Sequence, residues 1–379
     1  MGYQETNKTV LITGASGFIG HHLVKYLCPD HKVIAFARRT QKEVGLEPHF
    51  NLEWMLVDLM DPVQLKKAFQ KASSTHSIDF IFHLAAYYDF GDQVFSQIYE
   101  KTNVEATRIL LELTKQINVQ RFVFTSSLVA SKFPVSGDLV YERSIPDANF
   151  PYAVTKRQGE KLVEEFSQFF PCTVVRLAAV CSDWCEYEPL YHFLKIWLSD
   201  RWDARILPGK GSMAIPYIHV CCVVDIFEKI IMKSSELKKF DTYLASSDSP
   251  VSLVELFKLA TQQYFGKERN PTFIPVLFAK AGVIWRNIMG KITGNRPFER
   301  LWMLDYTDRQ FPTDSSYTRE TLEWYPKPRH HLKRRLLHLI ENLKARPEEW
   351  HQKNIDRLHR FAKSRPSLTL AEEMVKMHE

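Results

Sequence analysis

The first 180 residues alternate between two patterns of apolar and polar positions. Short apolar runs rich in β-branched residues predict buried strands at Lys8–Thr13, His31–Ala37, Leu52–Asp58, Ile78–Leu84, Arg121–Thr125 and Thr173–Leu177. Between them, apolar positions recur at helical spacing over Phe18–Leu27, Pro62–Lys71, Asn103–Ile117 and Tyr152–Phe169. No hairpin signal joins any two strands. Strict alternation of this kind predicts an α/β fold, a doubly wound parallel sheet with helices on both faces. After residue 180 the alternation loosens. Ala214–Val220 and Asp225–Met232 predict one more strand–helix pair, and the rest through residue 330 reads as mostly helical. The expected organisation is a nucleotide-binding domain over 1–180, with 214–235 returning to it. A smaller, mostly helical substrate domain over 181–330 follows, then a helical tail over 331–379.

Composition narrows the class. Of 379 residues, 45% are hydrophobic and 25% charged, the balance of an ordinary globular protein. With 14 Gly and 19 Pro the chain is neither collagen-like nor of low complexity. Six Cys are too few for a disulfide-stapled secreted fold. No basic segment followed by an apolar one opens the chain, so no secretory leader is expected. Gly2 and Thr6 fit the loose myristoylation pattern, against which the bulky Tyr3 argues. The most apolar late stretch, 273–292, is broken by Lys280, Arg286 and Lys291 and does not read as a membrane span. These features point to a cytoplasmic protein.

Charge is uneven. Residues 327–379 hold thirteen Lys and Arg against seven Asp and Glu, which accounts for the whole net charge of +6. Leu332, Leu336, Leu339, Ile340 and Leu343 recur there at helical spacing, so part of the basic tail is expected to pack on the body. No nucleic-acid module accompanies the charge. Peripheral membrane contact is the alternative for the basic tail and for the 273–292 segment.

The candidate chemistry begins between the first strand and first helix. There Thr13-Gly14-Ala15-Ser16-Gly17-Phe18-Ile19-Gly20 combines glycines that let a backbone approach a pyrophosphate with a helix N-terminus that attracts one. In its strand–turn–helix context this loop predicts dinucleotide binding. The end of the second strand carries no carboxylate to hold a ribose 2′-hydroxyl. It reads Ala37-Arg38-Arg39, and a guanidinium suits a 2′-phosphate. NADP(H) is therefore favoured through Arg38, with NAD(H) the alternative. Further on, Tyr152 and Lys156 lie four apart at the start of a helix and share a face. A free phenol titrates near 10, and a neighbouring ammonium favours its ionised form, so Tyr152 is a candidate general acid/base.

The TGxxGxxG loop, HLAA at His83–Ala86, TSS at Thr125–Ser127 and YAVTK at Tyr152–Lys156 together resemble the extended short-chain dehydrogenase/reductase superfamily over roughly residues 8–330. The resemblance implies a Rossmann-type domain. It assigns Ser127 as the residue that polarises the substrate oxygen, with Ser126 one register away. It gives Lys156 a second role on the nicotinamide ribose. Asp58-Leu59 match the adenine-contacting position, and Ala85-Ala86 match the small residues lining the cofactor. Asn103 matches a relay or structural Asn, although an N-cap is an equal reading. A homodimer formed through the two long helices is the family's common assembly.

The substrate side departs from the family pattern. Arg176 is followed by Leu177 rather than Pro, and His219-Val220 by Cys221-Cys222 rather than two Asp. Ser127 is followed by Leu128-Val129-Ala130, with none of the acidic residues that dehydratases carry. Trp184, Tyr187, Tyr191, Phe193, Trp197, Trp202, Phe273, Phe278, Trp285 and Trp302 make the region aromatic. Tyr87, Tyr88 and Phe90 are expected over the nicotinamide. Few basic residues cluster for a diphosphate, Arg176 and Arg201 excepted. This part looks like the 3β-hydroxysteroid dehydrogenase and dihydroflavonol reductase-like group. The expected function is an NADP(H)-dependent oxidoreductase acting on a small apolar carbonyl or alcohol, steroid-, flavonoid- or lipid-like. The alternatives are an NAD-dependent sugar-nucleotide epimerase and a non-catalytic NAD(P)-sensing protein. Cys181, Cys185 and His192 lack the paired spacing of a zinc site, and no metal is expected.

Overall fold

The computed structural model describes residues 7–90, 96–135, 137–294 and 298–363, with side chains through residue 355. The Gly2/Thr6 pattern lies outside the described residues. Seven parallel strands form the central sheet: β1 (Thr9–Thr13), β2 (Lys32–Ala37), β3 (Leu52–Leu56), β4 (Phe80–His83), β5 (Arg121–Ser127), β6 (Cys172–Leu177) and β7 (Phe240–Ala245). Their order is β7-β6-β5-β4-β1-β2-β3. Val10 of β1 pairs with Val33 of β2 on one side and Phe80 of β4 on the other.

Side-chain alternation along the strands builds two core layers. Val10, Ile12, Val33, Ala35 and Phe82 face α1 (Phe18–Leu27), where Leu23, Val24 and Leu27 are buried. Leu11, Ile34, Ile81, Phe122 and Phe124 face the other way. That side is covered by α2 (Pro62–Thr75), α3 (Ala106–Thr114) and α4 (Pro151–Phe166). Glycine at 159 is a packing requirement, because a Cβ there would stand 2.4 Å from the Phe124 ring.

Three elements differ from the sequence pattern. β7 lies in the stretch assigned to the substrate region. It is an edge strand whose first three residues are only half-buried, so Phe240-Asp241-Thr242 shows no apolar run. The strand expected over 214–220 is split at Pro216, which has no N–H for a ladder. Ala214–Ile215 pairs antiparallel with Val251–Ser252, and Tyr217–His219 pairs parallel with Ala179–Cys181, both outside the main sheet. The following helix starts at Val220 rather than Asp225, because the His219 ring accepts a hydrogen bond from Cys221 N at 3.3 Å and caps it. After α5 (Glu188–Trp197), this helix is α6 (Val220–Met232), and its Val223, Phe227 and Ile230 join the layer under α1.

A third core gathers α5, α7 (Leu253–Phe265) and the basic tail. Beyond α8 (Val276–Thr293), the tail forms α9 (Leu332–Ala345) and α10 (Pro347–Lys363). Leu332, Leu336, Leu339 and Ile340 are buried against Tyr191, Trp197, Leu256 and Phe257, so the apolar stripe of the tail packs on the body. No helix among the described residues is long and apolar enough to cross a membrane.

One buried ion pair ties the sheet to α4. Arg176 of β6 donates Nε and Nη2 to the two carboxylate oxygens of Glu160 at 3.0 and 2.8 Å, and Nη1 to Ser144 O at 2.6 Å. Both residues are less than one-tenth exposed. Arg176 is thus spent inside the fold and is not open to a substrate diphosphate. Arg201 is paired as well, with Asp203. Removing one member of a buried pair strands the other charge. Glu160→Ala should lower unfolding free energy by about 3 to 5 kcal/mol, read as a drop in the urea midpoint at unchanged slope.

Candidate active site

β1 and β4 are neighbours whose onward connections run to opposite sides of the sheet. A crevice therefore opens at their carboxyl ends, where doubly wound folds bind ligands. The loop after β1 lies against the chain leaving β4. A Cβ on Gly14 would meet Ala85 N at 2.8 Å, and one on Gly20 would meet Gly14 O at 2.2 Å. Gly14 also has φ of +73°, which L side chains rarely adopt. Gly17 caps α1 without a side-chain hydrogen bond. The first-turn N–H groups are thus left for an anion. Ser16 contributes its carbonyl to the loop, Phe18 packs on His22, and Ile19 packs on the core.

Arg38 is exposed, whereas the Arg39 guanidinium folds back and donates to Ser16 O. Trp54 Nε1 donates to Arg39 O at 2.9 Å and holds that turn. Of the two adjacent arginines, Arg39 is the one that contacts the glycine loop, and Arg38 faces solvent. Asp58 accepts from Met60 N at 3.0 Å and shapes a turn, while the cap of α2 is Asp61. Leu59 is buried in the layer under α2, and Ala85 and Ala86 line the crevice after β4.

Tyr152 and Lys156 sit on the first turns of α4, which Pro151 starts with its fixed φ. Lys156 Nζ donates to Thr125 O at 2.8 Å and lies 5.7 Å from the centre of the Tyr152 ring. Burial lowers the Lys156 ammonium from 10.5 to about 7, against the opposing pull of Glu160. Ser127 ends β5, half-buried at the crevice, and its Oγ accepts from Val129 N at 3.4 Å. Ser126 alternates to the face of Phe122 and Phe124, where its buried hydroxyl has no partner among the described residues.

Asn103 is not an N-cap. The chain is already helical from Gln97 and passes through a π-helical stretch, Glu100–Glu105, into α3. Its side chain accepts from Tyr87 N at 2.7 Å and donates to Tyr87 O and to Thr155 Oγ1, both at 3.0 Å. A second buried link joins β1 to this helix through His83, a residue sequence reading used only as part of HLAA. His83 Nδ1 meets Thr13 Oγ1 at 2.7 Å, and Nε2 meets Thr107 Oγ1 at 2.8 Å. Thr107 spends its proton on Asn103 O, so it accepts from His83 Nε2–H, and Nδ1 accepts from Thr13. Burial and the Lys156 charge hold His83 near 3, hence neutral, as this arrangement requires.

Aromatic side chains form one wall of the crevice. Tyr88 packs on Tyr152 at 4.4 Å and on Phe90 at 4.5 Å, and Phe90 meets Tyr187 and Phe298. Tyr87 instead is buried against Tyr99. Cys181 and Cys185 are buried thiols, and His192 stacks on Phe298. Among the described residues, only His219, Cys221 and His330 bring three ligand atoms within 4.8 Å of one another.

The family model described as the NAD dependent epimerase/dehydratase family matches residues 10–245. The chain belongs to this family. A relative named as an uncharacterized UDP-glucose epimerase of Bacillus subtilis (strain 168) is 31% identical over 230 residues, covering 56% of this chain and 69% of that protein. The crystal structure of UDP-glucose 4-epimerase with UDP-glucose from Thermotoga maritima superposes with a TM-score of 0.68 at 22% identity, over 90% of this chain and all of that one. That of dTDP-glucose 4,6-dehydratase from Bacillus anthracis in complex with NAD gives 0.68 at 17% identity, over 91% and 99%. These superpositions establish the Rossmann-type fold.

Members of this family are NAD-dependent enzymes that act on CH–OH groups. The expected reductase of a steroid-, flavonoid- or lipid-like substrate is overturned, because the relatives are named as sugar-nucleotide enzymes. The aromatic count behind that expectation was misread. Tyr191 and Trp197 are core, while Trp202, Phe278 and Trp285 point outward.

Two tests follow from this geometry. Gly20→Ala should abolish saturable NAD binding in a fluorescence titration, since the clash is with backbone. For Lys156, the folded state binds fewer protons than the unfolded state between about 7 and 10.5, so stability rises with pH across that window. Lys156→Met removes this dependence. The variant should exceed the native protein in stability below pH 7, by on the order of a few kcal/mol, with the gap closing toward pH 10.

Proposed function

We propose that the chain is an NAD-dependent epimerase acting at a secondary hydroxyl of a nucleotide-diphosphate sugar. The observation that carries this reading is the placement of Tyr152 beside buried Lys156 at the crevice mouth, in a chain of the epimerase/dehydratase family. The absence of acidic residues at Leu128-Val129-Ala130, which form a single 3-10 turn, favours epimerisation over dehydration. The catalytic set is Ser127, Tyr152 and Lys156, with Asn103 positioning. The cofactor set is Gly14, Ser16, Gly17, Phe18, Ile19, Gly20, Asp58, Leu59, Ala85 and Ala86, and Arg39 is added to it. NAD is favoured over NADP because Arg39 is already engaged by Ser16 and Arg38 stands alone in solvent.

NAD, held by the glycine loop and the α1 N-terminus, would supply the acceptor and later the donor of the hydride at the carbinol carbon. Tyr152, ionised under the influence of the Lys156 ammonium, takes the hydroxyl proton as that hydride leaves. Ser127 donates a hydrogen bond to the same oxygen and holds the keto sugar. Once the sugar has presented its other face, Tyr152 returns the proton to the oxygen and the inverted alcohol forms. The glycine loop and the α1 N-terminus hold the pyrophosphate throughout.

The test is proton NMR of purified protein with UDP-glucose, UDP-glucuronate and UDP-N-acetylglucosamine in separate reactions. Interconversion of one of them with its C4 epimer, without added NADH, is expected. Tyr152→Phe should slow it roughly 10² to 10⁴-fold while leaving NAD binding intact. Net reduction of a ketone at the expense of NADPH, with no epimerisation, would overturn the reading.

A further inference from the structure

Helix α8 presents an apolar face to solvent. Leu277, Phe278, Ile284, Trp285, Ile288, Met289 and Ile292 are exposed, with Leu277, Trp285 and Ile292 at 76%, 64% and 73%. On a helix of 3.6 residues per turn these seven side chains fall within an arc of about 140°. The buried residues Ala279, Val283 and Gly290 lie on the opposite side, against the body. The exposure is therefore a property of the docked helix. Lys280 and Lys291 border one edge of the apolar arc, and Arg286 lies beyond the other. Lys280 pairs with Asp305 at 3.0 Å and Arg286 with Glu299 at 3.1 Å, while Lys291 has no acidic partner among the described residues. The helix contains no Asp or Glu. Trp202, 86% exposed, adjoins Asp203, which approaches Arg286 at 3.9 Å.

We infer that α8 is a docking surface for an anionic lipid bilayer, with the helix lying flat in the headgroup region. At about 27 Å the helix is long enough to rest on a bilayer, and it is too polar to cross one. Charge selects the occupant. Lipid phosphates complement Lys291 and the exposed Lys280, whose pair with Asp305 is solvent-exposed and weak, on a helix that carries no acid of its own, and the Trp285 indole favours the interfacial depth. A second copy would be a poorer fit, since an antiparallel two-fold pairing of α8 on α8 brings the same lysine edges together and a parallel one sets each lysine edge against the partner's basic Arg286 edge.

The docking face is tied to the catalytic crevice. Arg286 donates to Glu299 Oε1 at 3.1 Å, and Asn287 donates to Glu299 O at 3.4 Å. Phe298, the next residue back, packs on Phe90 of the aromatic wall at 5.9 Å. A protein resting on α8 holds that wall close to the membrane surface. This inference is independent of the sugar-nucleotide reading.

The experiment is flotation of the full chain with phosphatidylcholine vesicles, with and without phosphatidylglycerol. Flotation should be clear with phosphatidylglycerol and weak without it. The triple variant Leu277→Glu/Trp285→Glu/Ile292→Glu should lose at least about tenfold in bound fraction, with unchanged circular dichroism and NAD binding. Phe278→Glu alone, a milder change, should reduce flotation in the same direction. Failure of the native protein to float with either vesicle would overturn the inference. So would a concentration-dependent dimer that the triple variant dissolves, because a second copy would then own the face.

Discussion

Thr13, His83, Thr107, Asn103 and Thr155 join β1, β4, the helix that becomes α3, and α4 through buried hydrogen bonds. The phosphate loop begins one residue after Thr13, and Tyr152 lies three residues before Thr155. The two halves of the candidate site are therefore set relative to each other by fully buried side chains. Each proton in the line has one place to go once Thr107 donates to Asn103 O. A neutral His83 is what makes it consistent, and burial supplies that neutrality. A charged imidazole would have to donate from both nitrogens, which leaves the Thr13 hydroxyl without its acceptor.

The same burial sets the electrostatics of the chemistry. Lys156 has no carboxylate on its Nζ; its contact is a backbone carbonyl, so desolvation dominates its ionisation. Glu160, one turn further along α4, is nearby but committed to Arg176. A positive charge placed next to Tyr152 in so dry a setting acts strongly on the phenol, because little water screens it. The fold thus makes one lysine expensive to ionise at the point where its charge is useful.

The aromatic wall depends on the C-terminal helices. Tyr187 follows Cys185 and Glu186, both with φ in the left-handed region, a conformation that needs outside support. That support comes from the tail. Glu186 N donates to Asn354 Oδ1 at 2.8 Å, Asn354 donates to Trp184 O, and Arg335 grips Asp183 through both carboxylate oxygens. The tail, whose apolar stripe predicts packing on the body, is in part the scaffold of the substrate side.

The sequence by itself determined the parallel sheet, because strands covered on both faces must be apolar along a short run. It also placed the glycine loop and the Tyr152–Lys156 pair, whose spacings are set by backbone geometry and helical pitch. Edge strand β7 escaped because an edge needs no continuous apolar run. The contact of Arg39 with the glycine loop, and the links of Asn103 to Tyr87 and Thr155, escaped because they join residues 16 to 52 positions apart. The aromatic residues misled for the same reason. Composition counts a tryptophan, but only packing decides whether it fills a core like Trp197 or faces outward like Trp285. Local pattern is written in neighbours along the chain; burial and partnership are decided by neighbours in space.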